Sequence, residues 1–276
     1  MKYGFVLPQG EARTAVEFAR EAEGAGWDGF FVWEPVWGVD AWVSLSAAAM
    51  ATERIQLGTM ITPISRMRPW KLASETATLD RLSGGRVILS VGLGAVDSGF
   101  EAFGERTDRK TRAELLDEGL DILVGLWKGQ PFSYAGKHYQ ISETTFMPPQ
   151  PPLRQPRIPI WVVGAWFSRK SMERAARFDG LLPNMLDGQT GRVRMGRPTP
   201  QEVQEMRKWI DAQRGRDEPF DIIVEGETDG GDPVRAAAVV RPYEEAGATW
   251  WIEAMWQAED LDEVLRRVRQ GPGRYS

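Results

Sequence analysis

The sequence contains no cysteine, which removes disulfides, thiolate metal sites and cysteine nucleophiles from consideration. Histidine is nearly as scarce. A single copy, His138, rules out multi-histidine metal clusters and argues against a Ser-His-Asp triad, so no metal site is expected. Basic residues are not in excess. The 34 Lys and Arg face 39 Asp and Glu, giving a formal charge of −5, so the electrostatic footprint of a nucleic-acid-binding surface is missing. No apolar run reaches the roughly 18 residues that a membrane span needs. The opening MKYGFVLPQG is strand-like and lacks the apolar core of a signal peptide. The expectation is a cytoplasmic chain with no nucleic-acid or membrane partner.

What is present is close to the globular average: 276 residues, 42% hydrophobic and 26% charged. A chain of this length buries roughly three quarters of its unfolded surface. Twelve tryptophans are many for it. They suit either a large core or a pocket for a flat aromatic ligand.

Strand-like and helix-like segments alternate along the chain. The strand-like runs are 2–8, 28–34, 55–63, 86–94, 158–164, 179–184, 220–226 and 248–255. Between them, apolar residues recur at helical spacing over 11–25, 40–52, 69–82, 108–128, 168–177, 200–214 and 232–246. A last helix carries Leu261, Val264, Leu265 and Val268 on one face. Three helix-to-strand joins echo one another: EGAGWDGFF, LSGGRVIL and EEAGATWWI, each with glycine where a left-handed turn ends a helix. Residues 129–157 break the rhythm with a hairpin-like PFSYAGKHYQIS and the proline-rich PPQPPLRQP. Eight even units predict an α/β fold: one (β/α)8 TIM barrel over 1–276, with an insertion between the fourth helix and the fifth strand. A doubly wound open sheet is the alternative.

In such a barrel, chemistry sits at the C-terminal ends of the strands. There the stretch RLSGGRVILSVGLGAVDSGF resembles a dinucleotide turn. The Rossmann form, however, needs Gly or Ala at its sixth position and an immediate helix. Here Asp97 stands at that position and the helix begins only near 106–108. Gly92 and Gly94 instead suit close backbone approach by a planar ligand, or a plain tight turn. Alternation in the last strand turns Trp251, Glu253 and Met255 inward if Trp250, Ile252 and Ala254 face the helices. The same counting sets Glu225 opposite Ile222 and Val224. Glu34 ends the second strand. These carboxylates are candidate acid/base groups, or else partners of Arg66, Arg68 or Arg86. VVGAWFSRKS places Gly164, Ser168, Arg169 and a helix N-terminus together, a combination that suits phosphate or a plain cap. His138 falls in the insertion and is assigned no catalytic role.

The segments AWVSLSAAAMATERIQLGTMITPISRMRPWKLASETATLDRLSGGRVILSVGLG (41–94), RAELLDEGLDILVGLWKGQPFSYAGKHY (112–139), IPIWVVGAW (158–166) and GATWWIE (247–253) carry a resemblance, in order, to the bacterial luciferase-like, flavin-dependent oxidoreductase family. The resemblance implies a (β/α)8 barrel and a flavin-type cofactor at its mouth, FMN or the deazaflavin coenzyme F420. It implies that Thr59, Met60, Ile61 and Thr62 back the ring, with a non-proline cis peptide at Met60–Ile61. It places Gly92, Gly94 and Ala95 beside the cofactor, and Gly164, Ala165, Ser168 and Arg169 at its phosphate. It also implies a small-molecule substrate, a separate flavin reductase as partner and a homodimer. Many members read Trp-Asp-His after the second strand. Here the chain reads Trp33-Glu34-Pro35, which puts histidine-based proton transfer in doubt.

The resulting expectation is a flavin-dependent monooxygenase using reduced FMN and O2 on a small organic substrate. Glu34 and Glu253 are the acid/base or flavin-anchoring candidates, and Arg66 the anion-stabilising one. Trp33, Trp37, Trp166 and Trp256 would wall the site against water. The alternatives are a deazaflavin-dependent reductase or dehydrogenase, a non-catalytic flavin-binding protein, and a phosphate-ligand barrel enzyme without flavin.

Overall fold

The computed structural model describes residues 1–145, 151–187, 193–194, 196–214 and 219–274. Its strands are β1 Lys2–Leu7, β2 Gly29–Val32, β3 Gln56–Thr59, β4 Thr62–Pro63, β5 Val87–Gly92, β6 Phe132–Ala135, β7 Gln140–Thr144, β8 Ile160–Ala165, β9 Gly180–Asn184, β10 Asp221–Gly226 and β11 Trp250–Ala254. All but β6 and β7 are parallel and join in one ring. The order β3-β2-β1-β11-β10-β9-β8-β5 is closed by pairing of Leu57 and Gly58 with Val87 and Ile88. This is an eight-position (β/α)8 barrel. The third position is broken: β3 ends at Thr59, the Met60–Ile61 peptide is cis, and β4 resumes pairing with β5 at Thr62. The run 55–63, expected as one strand, is therefore two.

The helices are α1 Ala12–Gly24, α2 Ala41–Ala51, α3 Pro69–Leu82, α4 Arg109–Lys128, α5 Arg169–Ala176, α6 Pro200–Arg214, α7 Pro233–Glu245 and α8 Leu261–Arg269. Asp40, Asp108, Asp232 and Asp260 cap α2, α4, α7 and α8 through their carboxylates. The three echoing joins turn at Gly26, Gly84 and Gly247, with φ of 88°, 72° and 99°. The insertion is the antiparallel β6–β7 hairpin, seated on α4 where Glu118 accepts the backbone N–H groups of Lys137, His138 and Tyr139. Residues 148–150 of its proline-rich connector lie outside the described residues.

Two apolar layers hold the barrel. The outer one lies between strands and helices and includes Phe5, Phe30, Leu57, Leu89 and Trp251. The inner one fills the lumen with Phe31, Ile88, Trp161, Ile223, Trp250 and Ile252. At its heart, the rings of Phe31, Trp161 and Trp250 lie 5.0–6.2 Å apart. Glycines make the room. A Cβ at Gly4 or Gly29 would lie 2.8 Å from the Phe31 ring, and one at Gly180 2.4 Å from Trp161. At Gly58 a Cβ would lie 2.3 Å from the Ile88 carbonyl oxygen.

This packing reverses the inward set expected for the last strand. Trp250, Ile252 and Ala254 face the lumen. Trp251 faces Tyr243 of α7, and Glu253 pairs with Arg267 of α8 at 3.1 Å. Both faces of a parallel barrel strand are buried, so alternation alone does not say which face is inner. The notches at Gly4 and Gly29 decide it, because only the lumen side has space for Trp250 and Ile252.

Gly58→Ala is expected to destabilise the chain by about 2–3 kcal/mol through overpacking. Gly24→Ala, where a Cβ meets nothing within 4 Å, should leave stability unchanged or slightly raised. Urea-unfolding midpoints compare the two. Equal midpoints would refute the notch account.

Candidate active site at the barrel mouth

The aromatic plug fills the lower lumen, so any ligand must bind at the C-terminal ends of the strands. The third barrel position contributes most of the ordered polar groups there. Thr62 donates its hydroxyl proton to Glu34 Oε2 at 2.8 Å. Thr59 and Thr62 share a hydroxyl hydrogen bond of 2.9 Å, and Thr59 lies 3.3 Å from the Ser90 carbonyl oxygen. Each hydroxyl has one proton to give. With Glu34 ionised, donation runs from Thr59 toward the carboxylate. With Glu34 protonated, it runs outward to Ser90. The chain is satisfied in both states.

Burial pushes the Glu34 carboxyl up to about 7, against the Thr62 hydrogen bond and the Arg66 charge, which lower it; Asp40 and Glu75 add to the rise. Arg66 is itself nine-tenths buried, 4.0 Å from Glu34 Oε1. Its Nη2 donates to the carbonyl oxygens of Glu34 and Pro35 at 2.9 and 2.7 Å. It braces the turn after β2 as well as facing the acid. Arg86, weighed as another partner for the carboxylates, is elsewhere, donating to carbonyls of Ala49, Thr52 and Ile55.

Beside this group, on the third position and the two strands next to it, Ile61, Gly92 and Val163 form an apolar shelf. A Cβ at Gly92 would lie 2.9 Å from both Ile61 Cδ1 and Val163 Cγ2. Ser90, two residues before Gly92 on the same inward face, has a buried hydroxyl without a hydrogen-bond partner among the described residues. Gly94 turns with φ 76° against Pro63 and Phe100. Ala95 and Asp97 are exposed in the loop beyond it, so the residue that spoiled the dinucleotide pattern is a loop carboxylate. On the far side, a cavity of about 480 Å³ is bounded by Leu182, Pro183, Ile223, Glu225, Ala254 and Trp256. Burial holds the Glu225 carboxyl above the usual range, opposed by a 2.8 Å hydrogen bond from Trp256 Nε1.

Several expected site residues are placed differently. Glu253 lies behind the sheet, where Thr228, Trp251 and Arg267 all donate to it. Its reading as an inward acid is corrected by the strand phase. Gly164 points its missing side chain at the helix layer. A Cβ there would lie 2.2 Å from Leu181 Cδ1 and 3.0 Å from Met172 Sδ, so the glycine admits α5. Arg169 is 87% exposed and donates to Glu173 at 2.7 Å, turned along its own helix. The Ala165 N–H is held by Ser171 Oγ at 2.9 Å, and the Ser168 side chain forms no cap. Of the four tryptophans expected to wall the site, Trp166 is buried while Trp33, Trp37 and Trp256 are exposed at the rim. His138 is on the hairpin, 2.8 Å from Glu114 of α4. Among the described residues, no group of three or more His, Asp or Glu is placed to hold a metal. No helix there is long and apolar enough to cross a membrane.

The floor closed by aromatics, and the mouth with its apolar shelf and half-buried acids, define a closed (β/α)8 barrel with a candidate site at the C-terminal ends of its strands. The chain belongs to the luciferase-like monooxygenase family, whose model matches residues 3–228. It is 31% identical to the F420-dependent glucose-6-phosphate dehydrogenase of Amycolatopsis mediterranei over 162 residues, 54% of this chain and 47% of that one. It is 32% identical to the oxygenase component of flavin-dependent trigonelline monooxygenase from Acinetobacter baylyi over 120 residues, 44% of this chain and 32% of that one. The chain thus spans less than half the length of these curated relatives. The F420-dependent tetrahydromethanopterin reductase of Methanopyrus kandleri shares the fold, with a TM-score of 0.77 and 17% identity over 98% of this chain and 97% of that one. The relatives thus divide between F420-dependent and flavin-dependent enzymes.

The raised Glu34 carboxyl has a consequence for stability. Between about 4.5 and 7 the native chain holds a proton that the unfolded chain releases, so stability falls as pH rises through that window. Glu34→Gln keeps the acceptor for Thr62 and removes the buried charge. It should be more stable than the parent at pH 8 by roughly 3 kcal/mol, with the gap closing near pH 5. Denaturant unfolding at both values checks this, and a gap independent of pH would refute a buried acid at this position.

Proposed function

We propose that the barrel mouth binds a flavin-type cofactor and that the chain is an FMN-dependent monooxygenase acting on a small organic substrate. The observation that carries this reading is the shelf of Ile61, Gly92 and Val163, with the Ser90 hydroxyl, unpartnered among the described residues, on the same face. It offers apolar contact to a ring, and the Ser90 hydroxyl, fully buried, lies on the same inward face. Met60, Ile61, Gly92, Gly94 and Ser90 would hold the ring, with Thr59 and Thr62 behind it. Ala165 and Ser168, at the start of α5, would receive the cofactor's phosphate, the Ala165 N–H by leaving Ser171. Arg169 would join them only by leaving Glu173. When bound, the cofactor supplies the redox chemistry that these side chains lack.

The chain's own groups manage protons and water. Glu34, with its carboxyl near neutrality, holds or releases a proton at Oε2 and passes the change to Thr62 and Thr59. This takes the place of the histidine that many relatives carry where Pro35 stands. Trp33 and Trp256 at the rim would cover the site once substrate is present. A monooxygenase of this kind draws electrons from a separate reductase, in keeping with the relative described as an oxygenase component.

A second reading is hydride transfer with F420, favoured by the glucose-6-phosphate dehydrogenase relative. Titration with FMN and with F420, each followed by fluorescence quenching, separates the two. The expected result is tighter binding of FMN, with oxygen consumption once the complex is reduced. Tighter F420 binding with no oxygen consumption would establish the second reading. Binding of neither would overturn both. Ser90→Ala is expected to weaken cofactor binding about three- to tenfold, the loss of one hydrogen bond. Unchanged affinity would remove Ser90 from the site.

A further inference from the structure

Three carboxylates lie near the upper barrel, Glu253 buried and Glu34 and Glu225 half-buried, and they are neutralised differently. Glu253 has Arg267 at 3.1 Å and two donors from Thr228. Glu34 has Arg66 at 4.0 Å and the Thr62 hydroxyl. Among the described residues, Glu225 has neither a guanidinium nor an ammonium paired with it. Its hydrogen bond comes from the neutral indole N–H of Trp256 at 2.8 Å. Buried carboxylates are ordinarily paired, because an isolated charge in an apolar wall is costly.

Among the described residues, the surroundings of Glu225 supply no paired countercharge. Leu182 and Pro183 approach from β9, and Ala254 and Trp256 from β11 and its end. Ile223 lies below it on the same face of β10. Arg197 borders the cavity, but its Nε donates to Tyr243 Oη at 3.0 Å and its guanidinium stacks on Tyr243 and Trp251, both behind the sheet. Glu227, also on the rim, adds a second negative charge. The acid therefore borders a space of about 480 Å³, ample for a small molecule, and among the described residues no cation pairs with it, Arg197 being held by Tyr243.

We propose that Glu225 and Trp256 make this cavity the binding site for the ammonium end of a small organic substrate. The inference rests on the oxidoreductase reading of the mouth and names the substrate class of that site. An amine would bring the missing positive charge to the carboxylate. The indole of Trp256, tethered through its N–H, would leave its ring to attract the same cation. Leu182, Ile223 and Ala254 would cover the apolar remainder. A carboxylate ligand would meet two acids, and an alcohol of the same shape would leave Glu225 without a counterion.

Calorimetric titration with benzylammonium, benzyl alcohol and benzoate at pH 8 tests this on the unmodified chain. Benzylammonium should bind at least about tenfold more tightly than benzyl alcohol, the worth of one modest ion pair, and benzoate should bind most weakly. Glu225→Gln should erase the ammonium preference and leave benzyl alcohol affinity within about twofold. Equal affinities for the three probes would overturn the proposal. So would a preference for benzoate, an alcohol bound as tightly as the ammonium through a protonated Glu225, or a preference that survives Glu225→Gln. The order of the three probes in the unmodified chain decides the matter even if the variant does not fold. FMN and F420 titrations run alongside distinguish the failures. Cofactor binding without ammonium preference sinks only this inference. Absence of cofactor binding sinks the oxidoreductase reading and leaves the probes to decide the cavity.

Discussion

Phe31, Trp161 and Trp250 pack against one another inside the barrel, and the rest of the molecule is arranged around that contact. Three rings this large fit in an eight-stranded lumen only where neighbouring strands give up side chains. Gly4, Gly29, Gly58 and Gly180 do so. Their backbone freedom is a cost in a strand, offset here by burial of large aromatic surface. The plug closes the lower barrel, with Lys2 over the outer face of Trp250 and Asp221 accepting from Trp161 Nε1. Polar residues that face inward above it have one place to act, the mouth.

The treatment of buried charge follows from the same division. On the helix side, Glu253 is enclosed by donors and an arginine, and it ties β11 to α8. On the lumen side, Glu225 stands one strand away with an indole as its donor. Glu34 belongs to neither layer. It sits beneath the turn that Arg66 braces and joins a line of hydroxyls that can carry either proton order. An acid enclosed by matched donors holds structure. An acid left partly unsatisfied beside open space is available to a ligand.

Much of this was legible in the chain. Period and length showed the eight units, the glycine-bearing joins and the insertion, because each depends on local backbone preference. The resemblance located the cis Met60–Ile61 peptide, which the structure contains. Counting by twos put Glu225 inward correctly, and the same counting would have reached Ser90 from Ile88. It failed in β11, where both Trp250 and Trp251 are apolar and both faces are covered. Arg169 looked like an anion ligand because it follows a strand end and opens a helix. Glu173, four residues on, was an equally visible partner, and at an exposed helix start that local pair forms. Gly164 looked like a place for close approach by a ligand, and what approaches is α5.

The sequence by itself determined the architecture and the absence of thiolate chemistry, since these follow from residue type, period and order along the chain, and its motifs carried the resemblance to the family. Only the tertiary structure decided which face of each strand looks inward, which acids found a countercharge and which glycines make room for a ring rather than a helix. Those outcomes depend on volumes and charges brought together from segments far apart in the chain. Gly29 shows what to do with Trp250 only once the barrel has closed.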